Sequence, residues 1–361
     1  MTPQSKAESL PTFSAAELLR WQEAGCRIND ASPFYAEMFG RFAHNCEHGD
    51  SPIIALLQRA PMTINAAPPL RLFGGLHRSV LQGELPNLQA AWPTPEAPLG
   101  DVDGAYSSMV EAFVDPSTTL IETMDHDPQT NEVGRSAGLA LGLAMIAARI
   151  QGPIRLFEIG ASAGLNLRID HYYCETGDWS WGNPRSAVRF GPDSYIGTPM
   201  FDGVSTEQPM IVERRGCDIH PIDATTDNGA TTLASYVWPD QFARHERLNA
   251  ALAIALDAPV TVDVASADDW VDEHVRPVAG AITVVMHSVM WQYMPAEVQA
   301  RTAGIITERG RRAPIDAPIV ELAMEPTPHT IDMRLSFTEW PSGETIEYAQ
   351  CGGHGPPVTI F

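Results

Sequence analysis

The sequence predicts an α/β fold in which a mostly parallel sheet follows an all-helical N-terminal region. Three observations carry this prediction. Helix start signals occupy the chain up to about residue 153, short β-prone runs alternating with helical segments follow them, and two alternating strands close the chain. We therefore expect a helical cap at residues 1–128 and an α/β domain at residues 129–361.

The N-terminal helices are predicted from their start signals. Ser14 and Glu17 form a capping-box pattern before residues 18–28. Serine–proline pairs at 32–33 and 51–52 combine an N-cap hydroxyl with proline at the first helical position. Further helices are predicted at residues 70–82, 105–124 and 132–150.

The second part of the chain contains β-prone runs, each followed by a loop and most by a helix. A hairpin ends the pattern, with strands at 333–340 and 344–350 around a turn at 341–343. Residues 172–210 are too long for a simple connection and predict an ordered insertion. We expect a seven-stranded, mostly parallel sheet with one reversed strand. Its other strands are predicted at 154–159, 211–217, 260–265, 281–287 and 318–324.

Composition limits the possible partners and the compartment. The formal net charge of −22 would repel phosphate backbones and anionic membranes. The longest apolar run, residues 137–150, is too short to span a bilayer, and the first residues lack the pattern of a secretory signal. The five cysteines contain no CxxC pair. We expect a cytoplasmic protein with free thiols, no bound metal, and no nucleic-acid or membrane partner.

The strongest local motif is the loop after the first predicted strand. Glu158 ends a buried run, and Gly160, Ser162 and Gly164 follow at alternate positions, where small residues let the backbone approach a ligand; Asn166 lies where we expect a helix to open. With the strand–helix alternation and the closing hairpin, this motif resembles the Rossmann-like class I S-adenosylmethionine-dependent methyltransferases. The resemblance implies that these five residues bind S-adenosylmethionine, with serine in place of the middle glycine.

Residues after the later strands extend the predicted site, because the carboxyl ends of parallel strands share one edge of a sheet. Asp218 is expected to accept the ribose hydroxyls of the cofactor. Asp268 and Asp269, after the third strand, are expected to accept the adenine amino group, with Trp270 as its stacking neighbour. Each aspartate also has a simpler explanation, since acidic residues after strands often cap helices.

The fourth strand leads into the residues that we expect to face the methyl acceptor. The resemblance places this loop opposite the transferable methyl group. His287 is the predicted general base, because a neutral histidine near pH 7 suits that role, and Trp291 and Tyr293 are predicted to line the acceptor pocket. A structural role for His287 within a hydrogen-bond network is the alternative.

Two residues before the first strand are also expected to line the ligand-binding cleft at this edge of the sheet. Asn131 and Arg135 are four residues apart on the helix before the first strand, so they share one face. We expect Arg135 to reach the cofactor carboxylate or to pair with Glu158, the alternative being a solvated arginine.

The insertion is expected to form one wall of the cleft. Trp179 and Trp181 would supply apolar surface, and Arg185 and Arg189 could receive an anionic acceptor through bidentate contacts. The alternative is that the insertion only seals the edge of the sheet.

A serine hydrolase is the alternative enzyme class. Residues 160–164 match G-x-S-x-G, with Ser162 as nucleophile, Asp263 or Asp268 as the orienting acid and His354 as the base. The helical N-terminal region and the C-terminal position of the hairpin argue against this fold. A ligand-binding protein without catalysis is the other alternative.

Several sequence segments are long enough to be specific for a protein family. These phrases are residues 73–77, 129–135, 158–166, 214–223, 236–240 and 287–293. By these phrases nearly the whole chain resembles a bacterial family, domain-of-unknown-function family 2332. That resemblance implies a helical cap joined to a methyltransferase-like domain and implies nothing about a substrate. Gly353 stands where the family has proline before His-Gly. We predict S-adenosylmethionine-dependent methyl transfer to a small-molecule acceptor.

Overall fold

The computed structural model describes residues 11–28, 31–49, 51–176, 179–197, 210–327 and 332–361. The chain divides into two compact units. The first comprises Met1–Thr130 with Thr231–His245, and the second comprises Asn131–Ala230 with Glu246–Phe361. The division near residue 130 lies close to the predicted boundary, but residues 231–245 cluster with the first unit and not, as predicted, with the second.

The first unit is helical, and its first three helices begin directly after Ser14, Ser32 and Ser51 as predicted, although Ser51 makes no side-chain capping bond. The Ser14 hydroxyl accepts the Glu17 N–H while the Glu17 carboxylate accepts the Ser14 N–H, which completes a capping box. Ser32 accepts the Tyr35 N–H at 3.1 Å. The helices are α1 (Ala15–Arg27), α2 (Pro33–His48), α3 (Pro52–Leu57), α4 (Pro68–Leu81), α5 (Pro86–Ala91), α6 (Val102–Val114) and α7 (Thr118–Thr123).

The single helix predicted over residues 105–124 is wrong, because α6 ends at Val114 and α7 starts only at Thr118. Pro116 lacks an N–H and disfavours helical backbone at the residue before it. Asp115 accordingly has φ −127° and ψ 77°. The short helix α5 lies beside a proline-rich stretch and is not predicted from the sequence.

Residues 231–245 join the first unit through buried polar contacts. Asp240 accepts hydrogen bonds from Ser32 Oγ at 2.6 Å and from Phe34 N at 3.0 Å, at the start of α2. His77 on α4 donates to the Ser235 carbonyl at 3.2 Å. These partners are far apart in the sequence, so the spacing of apolar residues cannot reveal them.

The second unit is built on one large sheet. Its strands, and those of a small separate sheet, are β1 (Ile154–Ile159), β2 (Tyr173–Glu175), β3 (Ser180–Gly182), β4 (Arg189–Phe190), β5 (Tyr195–Ile196), β6 (Ile211–Asp218), β7 (Thr261–Val264), β8 (Ile282–Ser288), β9 (Ile319–Pro326), β10 (Met333–Trp340), β11 (Glu344–Gly352) and β12 (Gly355–Ile360). The remaining helices are α8 (Ser136–Arg149), α9 (Asp227–Ser235), α10 (Phe242–Asp257), α11 (Ala267–His274) and α12 (Ala296–Arg311).

The large sheet is mostly parallel. Over the described ranges it has nine strands in the order β5–β12–β11–β10–β9–β8–β1–β6–β7, and the strands from β9 to β7 are mutually parallel. β10 runs antiparallel to β9, and β11 runs antiparallel to β10. All seven residues of β8 are buried, as expected for a central parallel strand covered on both faces.

The predicted strands and hairpin are confirmed, whereas the predicted count of seven strands and the single reversed strand are wrong, because β10, β12 and β5 all run opposite to the parallel strands. The chain turns back after β11 into β12, and β5 from the insertion extends the edge beyond β12. β5 has two residues, which are too few to show the alternation of apolar and polar side chains that predicts a strand. β12 has two prolines near its start, and proline disfavours the prediction of a strand.

The loop after β1 does not open an α-helix, contrary to the prediction. A 3₁₀ helix at Asn166–His171 follows it, and Arg168 within that turn has non-helical φ and ψ. The Arg168 guanidinium donates to the carbonyls of Ala163 (3.3 Å), Gly164 (2.8 Å) and Ala258 (2.7 Å). In a helix that opened after the loop, the carbonyls of Ala163 and Gly164 would accept hydrogen bonds from backbone N–H groups. Here the Arg168 side chain donates to these carbonyls in place of the helical backbone.

The insertion contributes to two sheets. β2, β3 and β4 form a three-stranded sheet in the order β3–β2–β4, and β5 lies at the edge of the large sheet. Trp181 is buried, and the Arg189 guanidinium lies 4.4 Å from the centre of the Tyr173 ring. The Tyr172 hydroxyl donates to the Leu165 carbonyl at 2.6 Å, which ties the start of the insertion to the glycine loop. Residues 177–178 and 198–209 of the predicted wall lie outside the described residues.

The helices and the cysteines can be compared with the sequence predictions. Within the described ranges, no helix has the length and apolar character needed to cross a bilayer. The five cysteines are free thiols, and all except the half-buried Cys46 are buried.

Candidate functional site

Polar residues converge at the carboxyl ends of the central strands. Glu158 lies one residue before the end of β1, and His287 lies one residue before the end of β8. These two strands are paired, with Ile159 opposite His287. Asp218 ends the neighbouring strand β6. The predicted edge of the sheet therefore does bring these side chains into one region.

The glycine loop has an alternating left-handed backbone. Gly160, Ser162 and Gly164 have φ values of 67°, 51° and 65°. A Cβ on Gly160 would lie 2.9 Å from Cγ of Met290, so glycine is needed there for close packing as well as for its φ. Ser162 adopts the same conformation with a side chain, at a cost of about 1 kcal/mol.

Asp218 holds this loop in place. Its Oδ2 accepts the Ser162 N–H at 2.9 Å, and its Oδ1 accepts the His220 N–H at 2.8 Å. These two bonds stabilise the strained serine. Each carboxylate oxygen has two lone pairs, so both oxygens can still accept a ribose hydroxyl.

Glu158 is a buried carboxylate whose hydrogen bonding is incomplete. It is 1% exposed, and its Oε2 has no partner among the described residues. The neighbouring Asn166 accepts from Ser136 Oγ at 2.7 Å, but its buried Nδ2 likewise has no partner there. Burial raises the pKa of Glu158 to about 8; the charge of Arg135 and the side-chain amide of Asn166 oppose this rise without offsetting it, and the charge of Asp218 adds to it.

Asn131 and Arg135 lie beside the loop; Asn131 precedes the helix and is not on it as predicted, whereas Arg135 ends a 3₁₀ helix at Val133–Arg135 that leads directly into α8. Asn131 Oδ1 accepts the Leu165 N–H at 2.7 Å. Arg135 is buried and donates from Nε to the Gly353 carbonyl at 3.0 Å and from Nη1 to the Ser288 carbonyl at 2.9 Å. The solvated alternative for Arg135 is therefore wrong. Its observed bonds go to carbonyls, and its positive charge acts on Glu158 at longer range.

His287 is held between two glutamates of β9. Ala323 lies opposite His287, so Glu321 and Glu325, two residues to either side, share its face of the sheet. His287 Nδ1 lies 2.8 Å from Glu325 Oε1, and Nε2 lies 3.6 Å from Glu321 Oε1. The small Ala323 side chain leaves room for the imidazole between them.

This environment corrects the predicted protonation state of His287. Burial disfavours the imidazolium, but Glu321 and Glu325 outweigh burial and raise the pKa of His287 to about 9. At pH 7 the imidazole is therefore protonated and cannot accept a proton. His287 does not fit the general-base role that the sequence assigned to it.

Glu325 is a site residue that the sequence analysis missed. Its Oε1 is close to His287 Nδ1 and to the N–H groups of Met290 (3.2 Å) and Trp291 (3.4 Å). Its Oε2 is buried and lacks a hydrogen-bond partner within the described part of the chain. The sequence pattern that could have identified Glu325 is the alternation of charged and apolar residues at the end of β9.

The loop after β8 carries further strain. Val289 has φ 51°, an unusual value for a β-branched residue, and its N–H donates to the Met324 carbonyl at 2.8 Å. Trp291 stacks on His287 with ring centroids 4.8 Å apart, and Tyr293 is exposed. Left-handed Ser162 and Val289 thus lie at the ends of two adjacent strands, and backbone strain of this kind is concentrated at functional sites.

Asp268 and Asp269 have protein partners. Both accept from Arg301 Nη1 at 2.7 Å, and Asp268 also accepts from Ser266 Oγ at 2.7 Å. Hydrogen bonds from Ser266 and Arg301 lower the pKa of Asp268. Trp270 is buried and donates to Asp263, so it belongs to the core. These contacts give both aspartates the structural role expected of first-turn acidic residues.

The residues predicted to assist Ser162 in a hydrolase have partners other than one another. Asp263 binds the Arg215 guanidinium through both carboxylate oxygens, at 2.6 and 3.0 Å. Asp268 pairs with Arg301, and His354 lies 3.7 Å from a Glu132 oxygen. The acid and the base predicted to serve Ser162 therefore have other partners.

The residues at the loop fit a polar ligand such as S-adenosylmethionine. Unpartnered buried polar atoms cost about 1–3 kcal/mol each unless something pairs with them. Glu158 Oε2 and Asn166 Nδ2 form no hydrogen bond of normal geometry, and they provide one acceptor and one donor beside a glycine loop, although the Asn166 amide already acts on Glu158 and lowers its pKa. An amino acid moiety carries the complementary ammonium and carboxylate groups.

Comparison with known proteins places the chain in a family. No curated protein and no solved structure matches it. A bacterial family does match, over residues 16–359 of the 361. The chain belongs to this family, which is described as "Uncharacterized protein conserved in bacteria (DUF2332)".

Proposed function

We propose that the second unit binds S-adenosylmethionine at the carboxyl edge of its sheet and transfers the methyl group to a small-molecule acceptor. One observation carries the proposal: the unpartnered buried atoms of Glu158 and Asn166 lie beside the left-handed glycine loop. The parallel order β7–β6–β1–β8–β9, with antiparallel β10 next to β9, is similar to the core of class I methyltransferases and adds support.

The chain's residues would bind and orient the cofactor. Glu158 offers Oε2 to its ammonium group, whose positive charge would lower the raised pKa of Glu158 and favour the ionised carboxylate, and Asn166 offers Nδ2 to its carboxylate. Asp218 keeps the loop in its binding conformation and accepts the ribose hydroxyls. When bound, S-adenosylmethionine supplies an electrophilic methyl group. The protein's task is then mainly to position the acceptor and exclude water.

We further propose that Glu325, and not His287, receives the proton of the acceptor. The protonated His287 and the two backbone N–H groups orient Oε1, which leaves the unpartnered Oε2 to accept a hydrogen bond. A proton leaving an acceptor N–H or O–H would move to that atom. The acceptor would therefore carry such a donor group, and Trp291 and Tyr293 would contact its apolar part.

Binding of the cofactor is the decisive test. Isothermal titration should show saturable binding of S-adenosylmethionine and of S-adenosylhomocysteine. Asp218→Ala should weaken both by about tenfold to a hundredfold, corresponding to about 1–3 kcal/mol, because it removes the ribose acceptor and releases Ser162. Asp316→Ala, an exposed aspartate of the same unit, is the control. Failure of the native chain to bind either compound would reject the proposal.

Glu325→Gln should separate binding from transfer. The variant keeps the shape of the side chain, so it should bind S-adenosylmethionine as the native chain does. It should lose transfer of radiolabelled methyl to the small-molecule fraction of a bacterial extract, because the proton acceptor is gone. Glu321→Gln removes the other partner of His287 and serves as the matched control. Equal transfer by both variants would exclude Glu325 as the base.

Two outcomes would favour the alternatives. Binding of the cofactor without transfer to any acceptor fraction would indicate a ligand-binding protein. Labelling of Ser162 by a fluorophosphonate probe would favour the hydrolase, for which the left-handed Ser162 backbone is the one supporting observation.

A further inference from the structure

A cluster of metal-ligating side chains lies in the first unit. His44, Glu47 and His48 are exposed on the last turns of α2, and one ligand atom from each lies within 4.8 Å of the other two. The spacing i, i+3, i+4 places all three on one face of the helix. The rings of His44 and His48 are 4.2 Å apart.

Two of these side chains are oriented by contacts of the kind that support metal ligands. His48 Nδ1 lies 2.8 Å from the His44 carbonyl, and because a carbonyl only accepts, Nδ1 must carry the proton. The lone pair of His48 is therefore on Nε2, which is free to coordinate. Glu47 is held by Arg20, through Nε at 2.9 Å and Nη2 at 3.0 Å. Such partners fix the tautomer of a ligating histidine and the direction of a ligating carboxylate.

We propose that His44, Glu47 and His48 bind a divalent zinc ion. Two imidazole nitrogens and one carboxylate oxygen are a ligand set that suits Zn²⁺, and three protein ligands leave a fourth position for water. A carboxylate has about four acceptor positions, so Glu47 can serve the metal while it remains paired with Arg20. The helix presents the ligands already in place, so little conformational entropy is lost on binding.

The sequence predicts no bound metal because it contains no CxxC pair. The pattern H-x-x-E-H at residues 44–48 was available. On a helix it brings the three side chains together, whereas on a strand or loop it would not. The assignment therefore depends on the observed bounds of α2.

Zinc titration of the full chain tests the proposal. Isothermal titration with ZnCl₂ in a buffer that does not chelate metal should show saturable binding with one ion per chain. His44→Ala and His48→Ala should each weaken binding at least tenfold, and Glu47→Gln should weaken it by a smaller factor, because one of three ligands is lost in each. His126→Ala, another exposed histidine of the first unit, should bind as the native chain does.

Two outcomes of these titrations would contradict the proposed zinc site. Absence of saturable binding in the native chain, or unchanged binding in the variant that lacks both His44 and His48, would overturn the proposal. Substitution by Co²⁺ offers a second readout, since intense visible absorption indicates tetrahedral coordination and should vanish in the double variant. All three ligands are exposed, so circular dichroism should confirm that the variants remain folded.

Discussion

Glu158→Gln should make the second unit more stable at pH 8–9, by as much as about 4 kcal/mol. The pKa of Glu158 rises from its ordinary value of 4.5 to about 8, and each pH unit corresponds to about 1.4 kcal/mol. A carboxyl whose folded pKa is raised binds its proton more tightly in the folded state. Its contribution to stability is complete below pH 4.5 and is lost as the pH rises through 8.

The neutral glutamine removes this dependence, so the two proteins should have similar stability near pH 4.5 and diverge as the pH rises. Hydrogen exchange of the β1 and β8 amides reports on the second unit and measures the difference. Asn166→Ala is a useful companion variant, because it removes the other unpartnered atom without changing charge. Parallel stability curves for Glu158→Gln and the native chain would show that Glu158 ionises normally.

The same substitution should weaken S-adenosylmethionine binding, because glutamine cannot neutralise an ammonium group. A residue that destabilises the fold yet supports binding is expected at a functional site, where activity and stability make opposing demands. If Glu158→Gln gains stability and keeps its affinity, then Glu158 has no part in cofactor binding.

His287→Gln should lower the stability of the second unit by about 3 kcal/mol at pH 6. The substitution leaves Glu321 and Glu325 without their shared cation. The size follows from the rise of the His287 pKa from 6.5 to about 9, at about 1.4 kcal/mol for each pH unit. Because the folded pKa is raised, the stabilisation is complete below pH 6.5 and is lost as the pH rises through 9.

The difference between the native chain and His287→Gln should therefore shrink toward zero by about pH 10. A second variant, His287→Gln with Glu325→Gln, should regain part of the lost stability at pH 6, since one uncompensated charge is removed. His274→Gln, a partly buried histidine 3.9 Å from Asp263, controls for the loss of a histidine near an acid. A pH-independent loss in His287→Gln would mean that His287 is neutral in the native protein, and would restore it as a candidate base.

Local patterns in the sequence were sufficient for the elements of the sheet. The five parallel strands and the hairpin are visible because each combines β-branched or alternating residues with a turn signal. The helix starts at Ser14 and Ser32 are visible because capping is a contact between near neighbours in the chain, and the start at Ser51 is visible because proline favours the first helical position. The glycine loop could likewise be located, since φ values above zero select glycine and small polar residues.

Contacts between distant residues were decided only by the tertiary structure. Arg168 replaces a helix after β1 by bonding carbonyls of the loop, and no local pattern predicts where an arginine side chain will turn. The charge state of His287 depends on Glu321 and Glu325, which approach it through the pairing of β8 with β9.

The sequence by itself thus determined the class of fold, the places of the five parallel strands and the hairpin, the starts of the first three helices, and the loop at which a ligand is expected. The tertiary structure decided the number of strands, the membership of residues 231–245, and which carboxylates remain unpartnered. The reason is physical. Propensity and capping act over a few residues, whereas burial, pKa and hydrogen-bond satisfaction depend on groups that only the folded chain brings together.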